Sequence, residues 1–180
     1  MLNENWLGTI LQCHIDSGDP ESFVVGQLEM FDDKWFLMQD ISSVGHWNGI
    51  ALYLQSDIVS VDEHSSYIDK LTSIIEYRGL KKPSSPPLCG ELLTSLLFFA
   101  KKAGRLVGIE LYKSGWRNVV GSVDHLDNDL VCVKQIDEYG QSNGISYVLI
   151  NAITRVFVAD ADLEALEILI NKTADDLRES

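Results

Sequence analysis

The sequence predicts a mainly β protein with flanking helices, arranged as two tandem small five-stranded barrels. Three observations carry that reading: an internal repeat, an apolar period of two inside each repeat, and a helix-like stripe closing each one. Shifting the chain by 95 positions lays Val24–Leu71 on Val119–Leu166 without a gap, with about 13 of the 48 positions identical. The identities include Val24/Val119, Gly26/Gly121, Asp32/Asp127, Ile41/Ile136, Gly45/Gly140, Asn48/Asn143, Gly49/Gly144, Ile50/Ile145 and Leu71/Leu166. Upstream, Leu11-x-Cys13-x-Ile15 matches Val107-x-Ile109-x-Leu111 at a shift of 96, which places a one-residue length change in the loop Asp16–Phe23. The chain therefore reads as a duplication with units 1–79 and 88–180.

Within the first unit, Leu11, Cys13 and Ile15 alternate with polar residues as a half-buried strand requires. Val24–Phe31 and Trp35–Ile41 follow, separated by the polar turn Asp32-Asp33-Lys34. Asn48-Gly49 reads as a type I′ turn, and Ile50–Leu54 and Ile58–Val61 as two more strands. The second unit repeats the order with Val107–Tyr112, Val119–Leu126, Leu130–Ile136, Ile145–Ile150 and Ile153–Val158. Short antiparallel strands with tight turns imply a strongly bent sheet or barrel.

The helices follow from a change of period. Ser65 or Ser66 can cap a helix whose stripe is Tyr67, Ile68, Leu71, Ile74 and Ile75, ending at Gly79. Asp160 or Asp162 can cap a second, carrying Leu163, Leu166, Leu169 and Ile170. Between the units, residues 80–87 hold three prolines in Pro83-Ser84-Ser85-Pro86-Pro87 and read as a linker. Leu88–Ala103 reads as a helix closed by Gly104, apolar on most sides through Leu92, Leu93, Leu96, Leu97, Phe98 and Phe99.

Composition bounds the partners. The chain has 180 residues, 46% of them hydrophobic, and a formal charge of -13. No apolar run reaches the ~18 residues of a membrane span. The start Met-Leu-Asn-Glu-Asn-Trp lacks the positive region of a secretory signal. Cys13, Cys89 and Cys132 are too scattered for a disulfide framework or zinc site, so a cytoplasmic location is expected. A surface this acidic repels phosphate backbones unless its cations cluster. Residues 80–104 carry a net +3 through Lys81, Lys82, Lys101 and Lys102, against -10 before them and -6 after. That strip could touch an acidic partner or simply solvate a linker and helix end.

The order Gly26-x-Leu28-x-x-Phe31-Asp32-x-x-Trp35, repeated as Gly121-x-Val123-x-x-Leu126-Asp127-x-x-Leu130, resembles the first signature motif of Sm-like proteins. In that family a bent second strand carries glycine, then apolar positions, then an acidic residue in the turn to strand three. The resemblance covers roughly 60 residues of each unit and implies a fold of two tandem Sm-like or SH3-like barrels, similar to uncharacterised bacterial proteins. It implies RNA contact through a basic pair near the end of strand four, as in an arginine-glycine pair. This chain departs there: Leu54-Gln55-Ser56-Asp57 and Leu149-Ile150-Asn151-Ala152 contain no arginine or lysine. The turns Asp32-Asp33-Lys34 and Asp127-Asn128-Asp129 are also net acidic.

Candidate binding residues are Asp32, Asp33, Asp127 and Asn128 in those turns, although Asp and Asn are equally good turn formers. Trp47, Tyr53 and Trp116 lie at or near loops as exposed anchors of a partner surface or as core aromatics. His14, His46, His64 and His125 have no second ligand at metal spacing. His64-Ser65-Ser66 sits where serines cap a helix. No nucleophile elbow or phosphate loop is present. No catalytic residue, metal or cofactor is expected. The expected function is a non-catalytic binding module for a protein partner with a basic surface, in its narrowest form an acidic inhibitor or immunity-type protein, with self-association open. The alternative is an Sm-like nucleic-acid binder using an atypical surface.

Overall fold

The computed structural model describes residues 2–15, 19 and 22–176, with side chains through 172. The length change expected between Asp16 and Phe23 falls largely outside the described residues. The chain divides into two compact units, Met1–Pro87 and Leu88–Ser180. The first contains β1 (Ile10–His14), β2 (Phe23–Phe31), β3 (Trp35–Ile41), β4 (Trp47–Leu54), β5 (Ser60–Asp62) and α1 (Ser66–Arg78). The second contains α2 (Leu92–Ala103), β6 (Leu106–Leu111), β7 (Val119–Leu126), β8 (Leu130–Ile136), β9 (Ser142–Leu149), β10 (Ile153–Val158) and α3 (Ala161–Asp176). Among the described residues the protein is thus mainly β with three α-helices.

Strand order is β5-β1-β2-β3-β4 in the first unit and β10-β6-β7-β8-β9 in the second, all antiparallel. Among the described residues no ladder joins β4 to β5, or β9 to β10, so the five strands of neither unit are closed on themselves by hydrogen bonds.

The local devices recur at the same spacing as the sequence repeat. Between β2 and β3 the register passes from Leu28↔Met38 to Met30↔Leu37, leaving Glu29 in a bulge. Between β7 and β8 it passes from Val123↔Val133 to His125↔Cys132, leaving Asp124 in the same place. Bulges of this kind bend and twist a strand. Just before each bulge, Gly26 and Gly121 let two backbones touch. A Cβ at Gly26 would stand 2.5 Å from the Gln39 carbonyl oxygen, and one at Gly121 would be closer still to that of Lys134. Only glycine fits such an approach.

Asn48-Gly49 and Asn143-Gly144 are not the hairpin turns that their composition predicts. They lie inside β4 and β9, opposite Asp40 and Gln135, as a second pair of bulges. Gly49 and Gly144 have φ of 75° and 86°, the left-handed backbone such bulges need. The turns are made upstream. Ser42 N–H donates to the His46 carbonyl at 2.8 Å, and Asp137 N–H to that of Gln141 at 2.9 Å. Asn-Gly supplies positive φ equally well to a turn or a bulge, so the dipeptide alone does not separate them.

In α1, Ser65 is the N-cap, accepting from Ile68 N–H at 3.3 Å, and Gly79 ends the helix in the left-handed region. Its face Ile68, Leu71 and Ile75 packs with Val25 and Ile41, and Trp47 and Leu80 lean on the same cluster. In α3 the cap is Asp160, whose Oδ1 accepts from Leu163 N–H at 3.0 Å. The helix expected from Leu88 starts at Leu92, because Pro86, Pro87 and the left-handed Gly90 precede it and Glu91 caps it through Thr94 N–H at 2.8 Å. Its buried residues Leu92, Leu93, Leu96, Leu97 and Ala100 form one stripe. Phe98 is exposed, with Lys102 Nζ 4.6 Å above its ring.

The proline-rich segment has no regular structure, yet it is held on the first unit. Pro86 is buried, Lys82 Nζ lies 2.6 Å from Glu29 Oε1, and Ser85 Oγ donates to the other Glu29 oxygen.

Candidate functional site

The hairpin between β6 and β7 has the sequence Tyr112-Lys113-Ser114-Gly115-Trp116-Arg117-Asn118. Tyr112 and Lys113 both take left-handed backbone, with φ of 51° and 55°. Non-glycine residues adopt this region at a conformational penalty, so the surroundings must hold them there. Tyr112 N–H donates to the Ala152 carbonyl at 3.0 Å, and Lys113 N–H to Thr154 Oγ1 at 3.1 Å. Asn118 Oδ1 accepts from Leu111 N–H and from Ser114 Oγ, both at 2.7 Å. Trp116 N–H donates to Ser114 Oγ at 3.2 Å.

Arg117 fixes the far side of the loop. Its guanidinium pairs with Asp160, reaches Asp162 Oδ2 at 3.2 Å, and lies 4.8 Å over the Phe157 ring. Asp160 itself is buried. Burial pushes its carboxyl above the ordinary value, although the Leu163 N–H and the Arg117 guanidinium pull the other way. Between these anchors the side chains of Trp116 and Tyr112 stand 77% and 74% exposed. Hydrogen bonds and ion pairs that hold a loop in place reduce the entropy lost when a partner covers its aromatic surface.

Of the other anticipated site residues, Asp32 and Asp127 are structural at their turns. Asp32 Oδ1 accepts from Lys34 and Trp35 N–H at 2.9 and 2.7 Å. Asp127 Oδ1 accepts from Asp129 and Leu130 N–H, both at 2.9 Å, and those bonds hold its carboxyl below the usual range. Asp33 is simply exposed in its turn. Asn128 and Asp127 line a cavity of about 300 Å³ with Phe98, Lys101, Ser95 and Leu126. Trp47 is not an exposed anchor: half-buried, it packs on the first unit's helix cluster. Tyr53 is core, its hydroxyl donating to Asp40 Oδ2 at 2.6 Å.

Two further carboxylates escaped the sequence reading, Glu29 and Asp124 in the bulges. Asp124 Oδ1 lies 2.6 Å from Lys134 Nζ, which lowers the acid and raises the base. Only the backbone register reveals that they occupy bulges. The Arg117–Asp160 pair was equally hidden, because 43 residues separate its partners.

For chemistry, Cys13 is buried and its thiol is pushed up to about 12 by burial and by Asp40 and Asp62, so it is a thiol rather than a nucleophilic thiolate. His14 Nε2 lies 3.0 Å from Gln12 Nε2 and 3.2 Å from Asp62 Oδ2, bridging β1 to β5. Ser65 Oγ donates to Gln12 Oε1. Among the described residues no group of three His, Cys, Asp or Glu could hold a metal ion, and no helix is long and apolar enough to cross a membrane. The chain matches no family model, and no curated protein or solved structure matches it.

Proposed function

We propose that this chain is a non-catalytic, cytoplasmic protein-binding module that seats its partner on the Trp116 loop. The observation that carries the reading is the exposure of Trp116 and Tyr112 on a loop held by the Asn118 hydrogen bonds and the Arg117 ion pairs. Interface energy concentrates in such aromatic anchors. The charge of -13 favours a partner with a basic surface, drawn in by electrostatic steering. An acidic inhibitor or immunity-type protein is the narrowest form of this reading. Three free cysteines fit a reducing compartment.

We read each unit as a bent, Sm-like or SH3-like barrel and the pair as a duplication. The glycine approach, the bulge in the second strand and the aspartate turn recur together in both units, which supports this. That fold favours a second reading, nucleic-acid binding through an atypical surface. The acidic turns oppose it.

The test is affinity capture by the immobilised full chain and its Trp116→Ala variant, at low and high salt, read by mass spectrometry. The expected result is one partner that salt weakens and that the variant loses by roughly 30-fold in affinity. Capture indifferent to Trp116 would refute the site. Fluorescence anisotropy with single-stranded RNA should show only weak binding at physiological salt; submicromolar affinity with a steep salt slope would favour the second reading.

A further inference from the structure

Among the described residues, strand β9 ends its unit's strand order with a single neighbour, β8. Its outer N–H and C=O groups are therefore an open template for another strand. Exposed edges are normally blunted by lysine, by proline, by bulges or by brevity. Eight residues long, β9 has no lysine and no proline, and its one irregularity is the Asn143-Gly144 bulge at its start. On one face, Ile145, Tyr147 and Leu149 are 56%, 71% and 53% exposed, although an exposed strand face is ordinarily polar. Val148, pointing the other way, is buried.

Charge selects the occupant. Positions 141–154 contain no Asp, Glu, Lys or Arg, within a chain of net charge -13. A second copy of an equally acidic chain is repelled from most of the surface, and this uncharged edge is where it can approach. Nor is there a charge here to recruit a basic partner. Of the first unit's two end strands, β5 has three residues including Asp62 and is too short a match, and β4 has Ile50, Ala51, Leu52 and Tyr53 buried. Antiparallel pairing of β9 with itself matches Ile145–Leu149 with the same five residues of a second copy.

We propose that two copies of the chain join through β9, antiparallel, across a two-fold axis centred on Tyr147. In that register Tyr147 meets the partner's Tyr147, and Ile145 meets the partner's Leu149. Each contact is then made twice, as an isologous interface requires. Aromatic and branched cross-strand pairs of this kind are the stabilising unit of antiparallel sheets. This surface is separate in sequence from the Trp116 loop and does not depend on it.

Sedimentation velocity of the full chain over a concentration series tests the proposal, with circular dichroism to show that each variant is folded. The wild-type chain should sediment as a dimer that dissociates on dilution. Tyr147→Lys and Tyr147→Glu, each alone, should raise the dissociation constant by roughly 30-fold or more. Mixed in equal amounts, the two variants should recover the dimer, because residue 147 faces itself. Trp116→Ala should leave the dimer unchanged. A monomeric wild type overturns the proposal. So does a dimer that ignores Tyr147, one that Trp116→Ala abolishes, a mixture that fails to recover, or growth beyond the dimer.

Discussion

Strands β4 and β9 hold equivalent places in the two units. They share a register against the preceding strand, an Asn-Gly bulge and a following 3-10 turn. The exposure of their side chains differs. Ile50 and Leu52 of β4 are 8% and 0% exposed, whereas Ile145 and Tyr147 at the matching positions face solvent. The first unit fills its interior with Trp35, Phe36 and Tyr53, the last two stacked with centroids 5.3 Å apart. At those positions the second unit has Leu130, Val131 and Val148. The difference teaches that one backbone recipe, set by glycines, turn aspartates and bulges, tolerates two distributions of apolar surface. Backbone path depends on a few conformationally special residues, while burial depends on what each face meets.

The sharpest way to break this comparison is to truncate the same residue in both strands. Ile50→Ala should destabilise by about 2–5 kcal/mol, since a buried methylene loss adds a cavity. Ile145→Ala, measured in dilute protein, should stay within about 0.5 kcal/mol. Urea unfolding followed by tryptophan fluorescence checks both, with Trp116 as reporter of the second unit. Equal losses would mean that β9 is as covered as β4.

A second experiment asks whether the shared recipe is energetically shared. Gly26→Ala and Gly121→Ala each push a methyl against a facing carbonyl, and each should destabilise its own unit by about 1–3 kcal/mol. A neutral Gly121→Ala would show that β7 and β8 can part where β2 and β3 cannot.

The smallest effect concerns the turns. Asp32→Ala removes an acceptor for two N–H groups and should lower stability by about 0.5–1.5 kcal/mol. Asp127→Ala should act in the same direction. Because Asp127 is held below its unfolded value of 3.8, its contribution is present above that pH and disappears as pH falls through the lower folded value. Urea midpoints from neutral to about pH 2 should therefore fall less steeply at the acid end in Asp127→Asn than in the native chain. Parallel curves would remove Asp127 from the acid response.

Much of the architecture was legible because it rests on local chemistry. Alternation of Leu11, Cys13 and Ile15 marked β1, Ser65 and Gly79 marked the ends of α1, and the 95-residue repeat placed β7 and β8 from β2 and β3. Asn48-Gly49 was misplaced for a local reason too, since its left-handed backbone serves bulge and turn alike. For Trp47 the sequence leaves anchor and core both open, because its half-burial comes from the α1 cluster of Ile68, Leu71 and Ile75, which no short window contains. Of the functional candidates, Trp116 was visible as a loop aromatic. The ion pair that anchors its loop was not, because Arg117 and Asp160 meet only after β7 to β10 have been laid down.

By itself, then, the sequence determined the repeat, the strand and helix types, the acidic surface and the positions of most turns. These follow from period, capping and composition, which act over a few residues or along the whole chain. Tertiary structure alone decided that Glu29 and Asp124 occupy bulges, that Arg117 locks the Trp116 loop, and that β4 is buried while β9 is left open. Those outcomes are contacts between residues far apart in sequence, and side chains of the same type acquire opposite roles according to the surface that reaches them.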